Sequence, residues 1–397
     1  MRDAISSRGA GGAALALTLG LLAGCAVFEP SAQAPAPAPA GALFDETEIL
    51  ALTPDAAGAA ALQEAARAGG YRLRRTRALT GLDLILLSFD LPAGVTGPEA
   101  IEALEAAVNV ATVGVNHAYA LQQSGGGAAL DYADALLGWP AGGCAAAMPI
   151  GLIDTAVDPA APPLAEVSVV SRSFVDGAEA PARHGTEVAS VLADPRRLRG
   201  ATLYSAAVAA PAGTGGRAGV DTLMLALDWL AAEGVRLVNV SLAGPYNKLL
   251  DQAMSRAQDR GLVVVAAVGN DGRAAEPLYP AAFDRAIAVT AVDADGRIYR
   301  NAVRGAHVDV AAPGVDVRVA AQGDAHAARF VTGTSFAAPF VTARLAADPA
   351  FAAAGGGVAA ARAVIAATAR DLGPAGADDT FGAGLLSAAG VCDPTLN

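Results

Sequence analysis

From about Asp131 to its end, the chain alternates short apolar runs with stretches of helical period, and that alternation leaves few folds open. Residues 149–153, 237–242, 262–268 and 286–292 are β-branched or leucine-rich runs with the length of buried strands. Residues 220–233 and 248–260 lie between them with a helical period, and Gly234 and Gly261 stop those helices. Strands separated by helices run parallel, and a parallel sheet needs helices on both faces to cover it. The expected fold class over 131–397 is therefore α/β, and no internal repeat is visible.

The preceding stretch, 43–121, reads as a separate small α/β unit. Residues 48–52 read as a strand, and 55–68 is an alanine-rich helix stopped by Gly69-Gly70. The runs 71–77 and 84–89 supply two more strands. A helix over 98–108 opens on Pro98 and places Ile101, Leu104 and Val108 on one face, and 110–115 closes the set. The order β-α-β-β-α-β is that of a ferredoxin-like sandwich. A linker over 122–130, with three consecutive glycines at 125–127, separates the two units.

Ahead of both comes an export signal over 1–24. Arg2 and Arg8 give a weakly basic start, and residues 9–24 carry no charge. That stretch is too short for a comfortable membrane span and suits a signal-peptide apolar region. It ends in Leu22-Ala23-Gly24-Cys25, which resembles the lipobox of bacterial lipoproteins. The resemblance implies cleavage before Cys25 and a lipid on its thiol; the alternative is an ordinary secretory signal. Alternating proline and alanine over 30–40 make 25–42 a semi-rigid tether. Of the three cysteines, Cys144 and Cys392 then remain, and in an exported chain they point to one disulfide rather than two buried thiols. The expected location is the bacterial cell envelope, lipid-anchored on the periplasmic or outer-membrane face. A net charge of −12, with Lys248 the single lysine, argues against nucleic acid as a partner.

Three segments carry chemistry, in the chain order Asp, His, Ser. Asp154 follows the apolar run 149–153, at the carboxyl edge of the sheet where open α/β folds build their sites. His184 opens the helical stretch His184-Gly185-Thr186-Glu187-Val188-Ala189, and alone among the four histidines is followed by Gly-Thr. Ser335 lies in Gly333-Thr334-Ser335-Phe336-Ala337-Ala338-Pro339, where a helix begins. A serine there serves as a helix cap, or it presents a hydroxyl beside backbone N–H groups that welcome an anion. Hydroxyl, imidazole and carboxylate in mutual reach make a nucleophile, its base and the base's orienter. A fourth element is Asn270, at the end of the strand 263–268 and before Asp271-Gly272. Its amide either makes a turn or donates to an oxyanion beside the Ser335 N–H.

In this combination, residues 154–388 resemble the catalytic domain of the subtilases, the subtilisin-like serine proteases. The segments Asn239-Val240-Ser241-Leu242-Ala243-Gly244, Val310-Ala311-Ala312-Pro313-Gly314 and Gly382-Ala383-Gly384-Leu385-Leu386 extend the likeness. The resemblance implies a triad of Asp154, His184 and Ser335 with Asn270 as oxyanion donor. It implies that substrate backbone adds as a strand to Ser241, Leu242, Ala243 and Gly244, with Ala266, Ala267, Val268 and Gly269 walling the adjoining pocket. It also implies that 43–121 is an inhibitory propeptide, removed near Tyr119 or within 122–129. Ser190, Ala243 and Val268 depart from the family's usual glycine, glycine and alanine and are expected to crowd the cleft.

The function so implied is a serine endopeptidase working through an acyl-enzyme and made as an exported precursor. Its partners are protein or peptide substrates, its own propeptide and, through a lipid, the membrane. No cofactor is expected, and no metal, since no acidic loop has calcium-ligand spacing. Two other functions remain open: a silent surface lipoprotein that uses the fold for binding, and an esterase with the same triad.

Overall fold

Alternating side chains dictate how the smaller unit is built. A computed structural model describes residues 43–121, 124–125, 132–212, 215–320 and 328–392. Cys25, the leader, the tether and most of the linker lie outside the described residues. The chain forms β1 (Glu48–Thr53), α1 (Ala56–Ala68), β2 (Arg72–Leu79), β3 (Leu84–Asp90), α2 (Gly97–Ala107) and β4 (Thr112–Val115). Asp55 caps α1 by accepting from the Gly58 N–H at 2.7 Å, and Thr96 with Glu99 forms a capping box on α2. The strands pair antiparallel in the order β2-β3-β1-β4. Because successive side chains leave opposite faces, Ile49, Ala51, Leu87 and Phe89 pack under α1 and α2. Leu50, Leu52, Leu84 and Leu86 turn the other way and join the core of the larger unit. The central strands β1 and β3 are thus covered on both faces, while the edge strand β2 stays largely exposed.

Two short strands follow, β5 (Ala118–Leu121) and β6 (Ser124–Gly125). The larger unit contains β7 (Ile150–Asp154), β8 (Ser168–Ser173), α3 (Arg183–Leu192), β9 (Thr202–Ala207), β10 (Gly215–Gly219) and α4 (Val220–Ala232). It continues with β11 (Leu237–Val240), β12 (Leu242–Ala243), α5 (Lys248–Asp259), β13 (Val263–Ala267), β14 (Ala286–Val292) and β15 (Val310–Pro313). Next come β16 (Val317–Ala320), β17 (Ala328–Thr332) and α6 (Thr334–Ala346). Seven strands form one parallel sheet in the order β15-β14-β13-β11-β7-β9-β8. From β7 the chain first builds to one side and then returns to the other, so the strand order reverses beside β7. That reversal opens a crevice at the carboxyl end of β7, where Asp154 stands.

The small sheet lies on α4 and α5, and glycines let it approach. A Cβ at Gly81 would stand 2.2 Å from the Asp228 carbonyl oxygen of α4, and the Asp228 carboxylate accepts from the Gly81 and Leu82 N–H groups at 2.6 and 3.2 Å. Leu249 of α5 packs on Gly114 of β4, and Lys248 pairs with Glu105 at 2.5 Å. Arg260–Asp83 and Arg75–Asp176 pairs span the same junction. At its centre Asn116 is fully used. Its oxygen accepts from the Val220 N–H at 2.8 Å, and its nitrogen donates to Glu48 at 3.0 Å and to Asp221 at 3.1 Å. Cys144 and Cys392 are bonded, tying the chain before β7 to its far end.

Candidate active site

The first turn of α3 is clamped onto the end of β7. The Gly185 N–H donates to Thr155 Oγ1 at 2.8 Å, and a Cβ at Gly185 would come within 2.4 Å of the Thr155 carbonyl oxygen. Thr186 Oγ1 donates to the Ala182 carbonyl at 2.7 Å and accepts from the Asp158 N–H at 2.9 Å. A glycine after the histidine is therefore what lets the helix sit close enough for His184 to meet Asp154. Their Nδ1 and Oδ1 atoms are 2.7 Å apart, both residues are buried, and the same oxygen accepts from the Thr155 N–H at 2.7 Å. A carboxylate at Nδ1 fixes the proton there and leaves the lone pair on Nε2. That Nε2 has no hydrogen-bond partner among the described residues. Phe336 packs against the imidazole, ring centroids 5.5 Å apart.

Ser335 is the second residue of α6, and Gly333, not the serine, occupies the N-cap position. The backbone at Gly333 has φ +153 and meets Gly314 so closely that a Cβ there would stand 2.9 Å from the Gly333 oxygen. Four residues on, Pro339 has no N–H to give the Ser335 carbonyl. Ser241 makes good the loss, its Oγ donating to the Ser335 carbonyl at 3.0 Å. Asn239 Nδ2 donates to Ser241 Oγ at 3.0 Å, and Thr342 Oγ1 to Asn239 Oδ1 at 3.0 Å. Every member of this chain is buried. The Ser335 hydroxyl donates to the Ser241 carbonyl at 3.1 Å. The hydroxyl is thus held by Ser241, and no hydrogen bond joins it to His184 Nε2.

The Ser241 hydroxyl is the part of this network that sequence reasoning missed. Its removal strands both the Ser335 carbonyl and the Asn239 amide. Ser241→Ala is expected to cost about 1–3 kcal/mol of unfolding free energy, read as a lower urea midpoint at unchanged slope. A midpoint equal to the parent's would show that the carbonyl finds another donor.

Asn270 follows β13 and faces the start of α6. Its Oδ1 accepts from the Thr334 N–H at 3.1 Å and from Thr334 Oγ1 at 3.0 Å, while Thr334 Oγ1 accepts from the Gly269 N–H at 3.2 Å. With its oxygen held by Thr334, the amide directs its nitrogen the other way. Ala266, Ala267 and Val268 are fully buried, and Gly269 has φ +103 with Leu278 where a Cβ would go. Ser190 spends its hydroxyl on the Glu187 carbonyl at 2.7 Å and the Ala320 N–H at 3.2 Å, between α3 and β16.

The chain's own residues lie along this crevice as added strands. On one side β5 pairs antiparallel with β10, Tyr119 opposite Ala218, and with β12, Leu121 opposite Leu242 and Ala120 opposite Ala243. On the other side β6 pairs antiparallel with β17, Ser124 opposite Thr332 and Gly125 opposite Val331. Tyr119 lies flat on Gly244, where a Cβ would stand 2.6 Å from its ring, and its hydroxyl donates to the Pro245 carbonyl at 2.8 Å. Burial pushes that phenol well above its ordinary value.

A family model described as "Subtilase family" matches residues 146–384. Subtilisin BL of Lederbergia lenta is 36% identical over 166 residues, spanning 40% of this chain and 60% of that protein's length. Subtilisin DY of Bacillus licheniformis is 32% identical over 207 residues, 48% of this chain and 73% of that protein. Among solved structures, fervidolysin from Fervidobacterium pennivorans, described as a keratinolytic enzyme related to subtilisin, superposes with a TM-score of 0.69 at 20% identity. That superposition covers 91% of this chain and 63% of that one, a likeness of fold.

Proposed function

The chain belongs to the subtilase family, and on that premise we propose that it is a serine endopeptidase made as a self-inhibited, exported precursor. One observation carries this reading: the chain's own backbone is held as added strands by β12, which follows Ser241, and by β17, which leads into Ser335. A site that takes extended backbone on both flanks suits cleavage within a polypeptide. An esterase has no need of either flank.

In the proposed reaction the Ser335 hydroxyl turns from the Ser241 carbonyl to His184 Nε2. Its oxygen attacks the peptide carbonyl carbon while the imidazole takes the proton. Asp154 holds the ring in the required tautomer and balances the imidazolium. Asn270 Nδ2 and the Ser335 N–H donate to the oxygen that becomes negative. His184 then returns the proton to the leaving amine, the acyl group stays on Ser335, and water repeats the sequence to release the acid.

Residues 43–121 are the inhibitor in this reading, with β5 filling the substrate's place. The processing cut falls between Leu121 and Ser124, after the residues that pair with β12 and before those that pair with β17. A lipid on Cys25 would then remain with the amino-terminal fragment, so the enzyme would stay at the envelope only through non-covalent contacts with that fragment, the Gly81–Asp228, Leu249–Gly114 and Asn116 contacts and the β5 pairings among them. The test is mass spectrometry and amino-terminal sequencing of the mature protein. The expected result is a new terminus at Gln122, Gln123 or Ser124. Full turnover of casein by an uncut chain would overturn the precursor and leave the peptidase.

A further inference from the structure

Helix α3 carries a second ionisable group that the reaction above does not use. Glu187 stands three residues after His184, a spacing that puts the two side chains on one face of the helix. Its side chain is 1% exposed, and neither carboxylate oxygen has a hydrogen-bond partner among the described residues. Its charge partner is Arg329 of β17, with Nε 3.2 Å from Oε1. The same strand runs on into Gly333 and Ser335, so the pair joins the helix of the imidazole to the strand that leads to the hydroxyl. A buried carboxylate without hydrogen bonds is costly to keep.

The charges around Glu187 come from three elements. Arg329 faces it from β17, His184 and Arg183 from its own helix, and Asp154 from β7. Burial pushes its carboxyl above the ordinary range; Arg329, a protonated His184 and Arg183 pull it down, and Asp154 pushes it up. Coupling of this kind is mutual. Whatever a protonated His184 does to favour the Glu187 carboxylate, the carboxylate does to favour protonation of His184.

We propose that Glu187, held by Arg329, is a positioning residue of the hydrolytic centre that steadies the imidazolium of His184 as Ser335 gives up its proton. This rests on the triad reading above. The imidazole is neutral before the attack and charged during it, so a carboxylate on its helix face helps the transition state more than the ground state.

The sign of the effect follows. Removing the carboxylate lowers the affinity of His184 for a proton, so the acid limb of kcat/KM, which reports that group in the free enzyme, moves to lower pH. Glu187→Gln is expected to move the limb down by about one pH unit and to lower kcat on the plateau about three- to tenfold. Glu187→Asp is expected to restore most of both. Should the single amide variant not fold, Glu187→Gln/Arg329→Gln removes both charges and leaves two amides able to bond each other. Its limb is expected to move the same way by less, because the partly exposed guanidinium is screened more than the buried carboxylate. Limbs that coincide with wild type, even with a lower thermal midpoint, would reduce Glu187 to a strut and overturn the proposal. Absent turnover in the wild-type chain would sink the triad reading instead.

Discussion

Ser335→Ala is expected to abolish turnover and to leave the chain uncut. If Ser335, His184 and Asp154 act as a unit, loss of the nucleophile lowers kcat by a factor on the order of 10⁶. Labelling by a serine-directed fluorophosphonate should vanish with it. Because the processing cut is assigned to the same serine, the variant should also accumulate with residues 43–121 still attached. Stability should fall only modestly. The hydroxyl makes one hydrogen bond, to the Ser241 carbonyl, worth about 0.5–1.5 kcal/mol, and alanine suits a helix as well as serine does. An unfolded variant is therefore not the expected reason for silence. Undiminished labelling would move the nucleophile elsewhere, and normal processing of the purified variant would assign the cut to another protease.

Much of this architecture was legible because burial leaves a pattern. Strands such as β13 and β14 are covered on both faces and read as unbroken apolar runs, so their bounds are recovered to within a residue. The small unit was legible through the Gly69-Gly70 stop of its first helix and the Pro98 that opens its second. β8 was not, because Ser168–Ser173 is an edge strand with polar, exposed side chains and no apolar run to read. β9 was missed because Ser205, Ala206 and Ala207 are small and carry little pattern, although buried. At the site, Asp154, His184, Asn270 and Ser335 stood out because each ends a strand or opens a helix. Thr334, Thr155 and the hydroxyl of Ser241 did not, since their work is to bond backbone and amide groups brought close only by the fold. The Ser241–Pro339 relation is the clearest instance: a donor lost at 339 is supplied by a side chain 98 positions away, and no local spacing announces it. Glu187 was hidden for another reason. A glutamate in a helix reads as solvated surface until the strand that carries Arg329 is laid over it.

Asn270→Ala is expected to lower kcat by about 10²–10³ with little change in KM, as removal of one oxyanion donor does. The amide's role depends on which end faces the reacting carbonyl, and Thr334 decides that by donating to Asn270 Oδ1 from both its N–H and its hydroxyl. Thr334→Val keeps the backbone donor and removes the hydroxyl. Its loss of kcat should therefore be a fraction of that in Asn270→Ala. In the double variant Thr334→Val/Asn270→Ala the two losses should not multiply, because the hydroxyl's bond toward the reacting centre runs through the amide. Asn270→Asp supplies the sharper contrast. An aspartate there presents an acceptor, and at neutral pH a negative charge, to an oxygen that is itself becoming negative. Its kcat should fall below that of the alanine variant. Equal rates for Asp and Ala would mean that residue 270 never faces the developing charge, and the Ser335 N–H would then have to act with a donor other than this one.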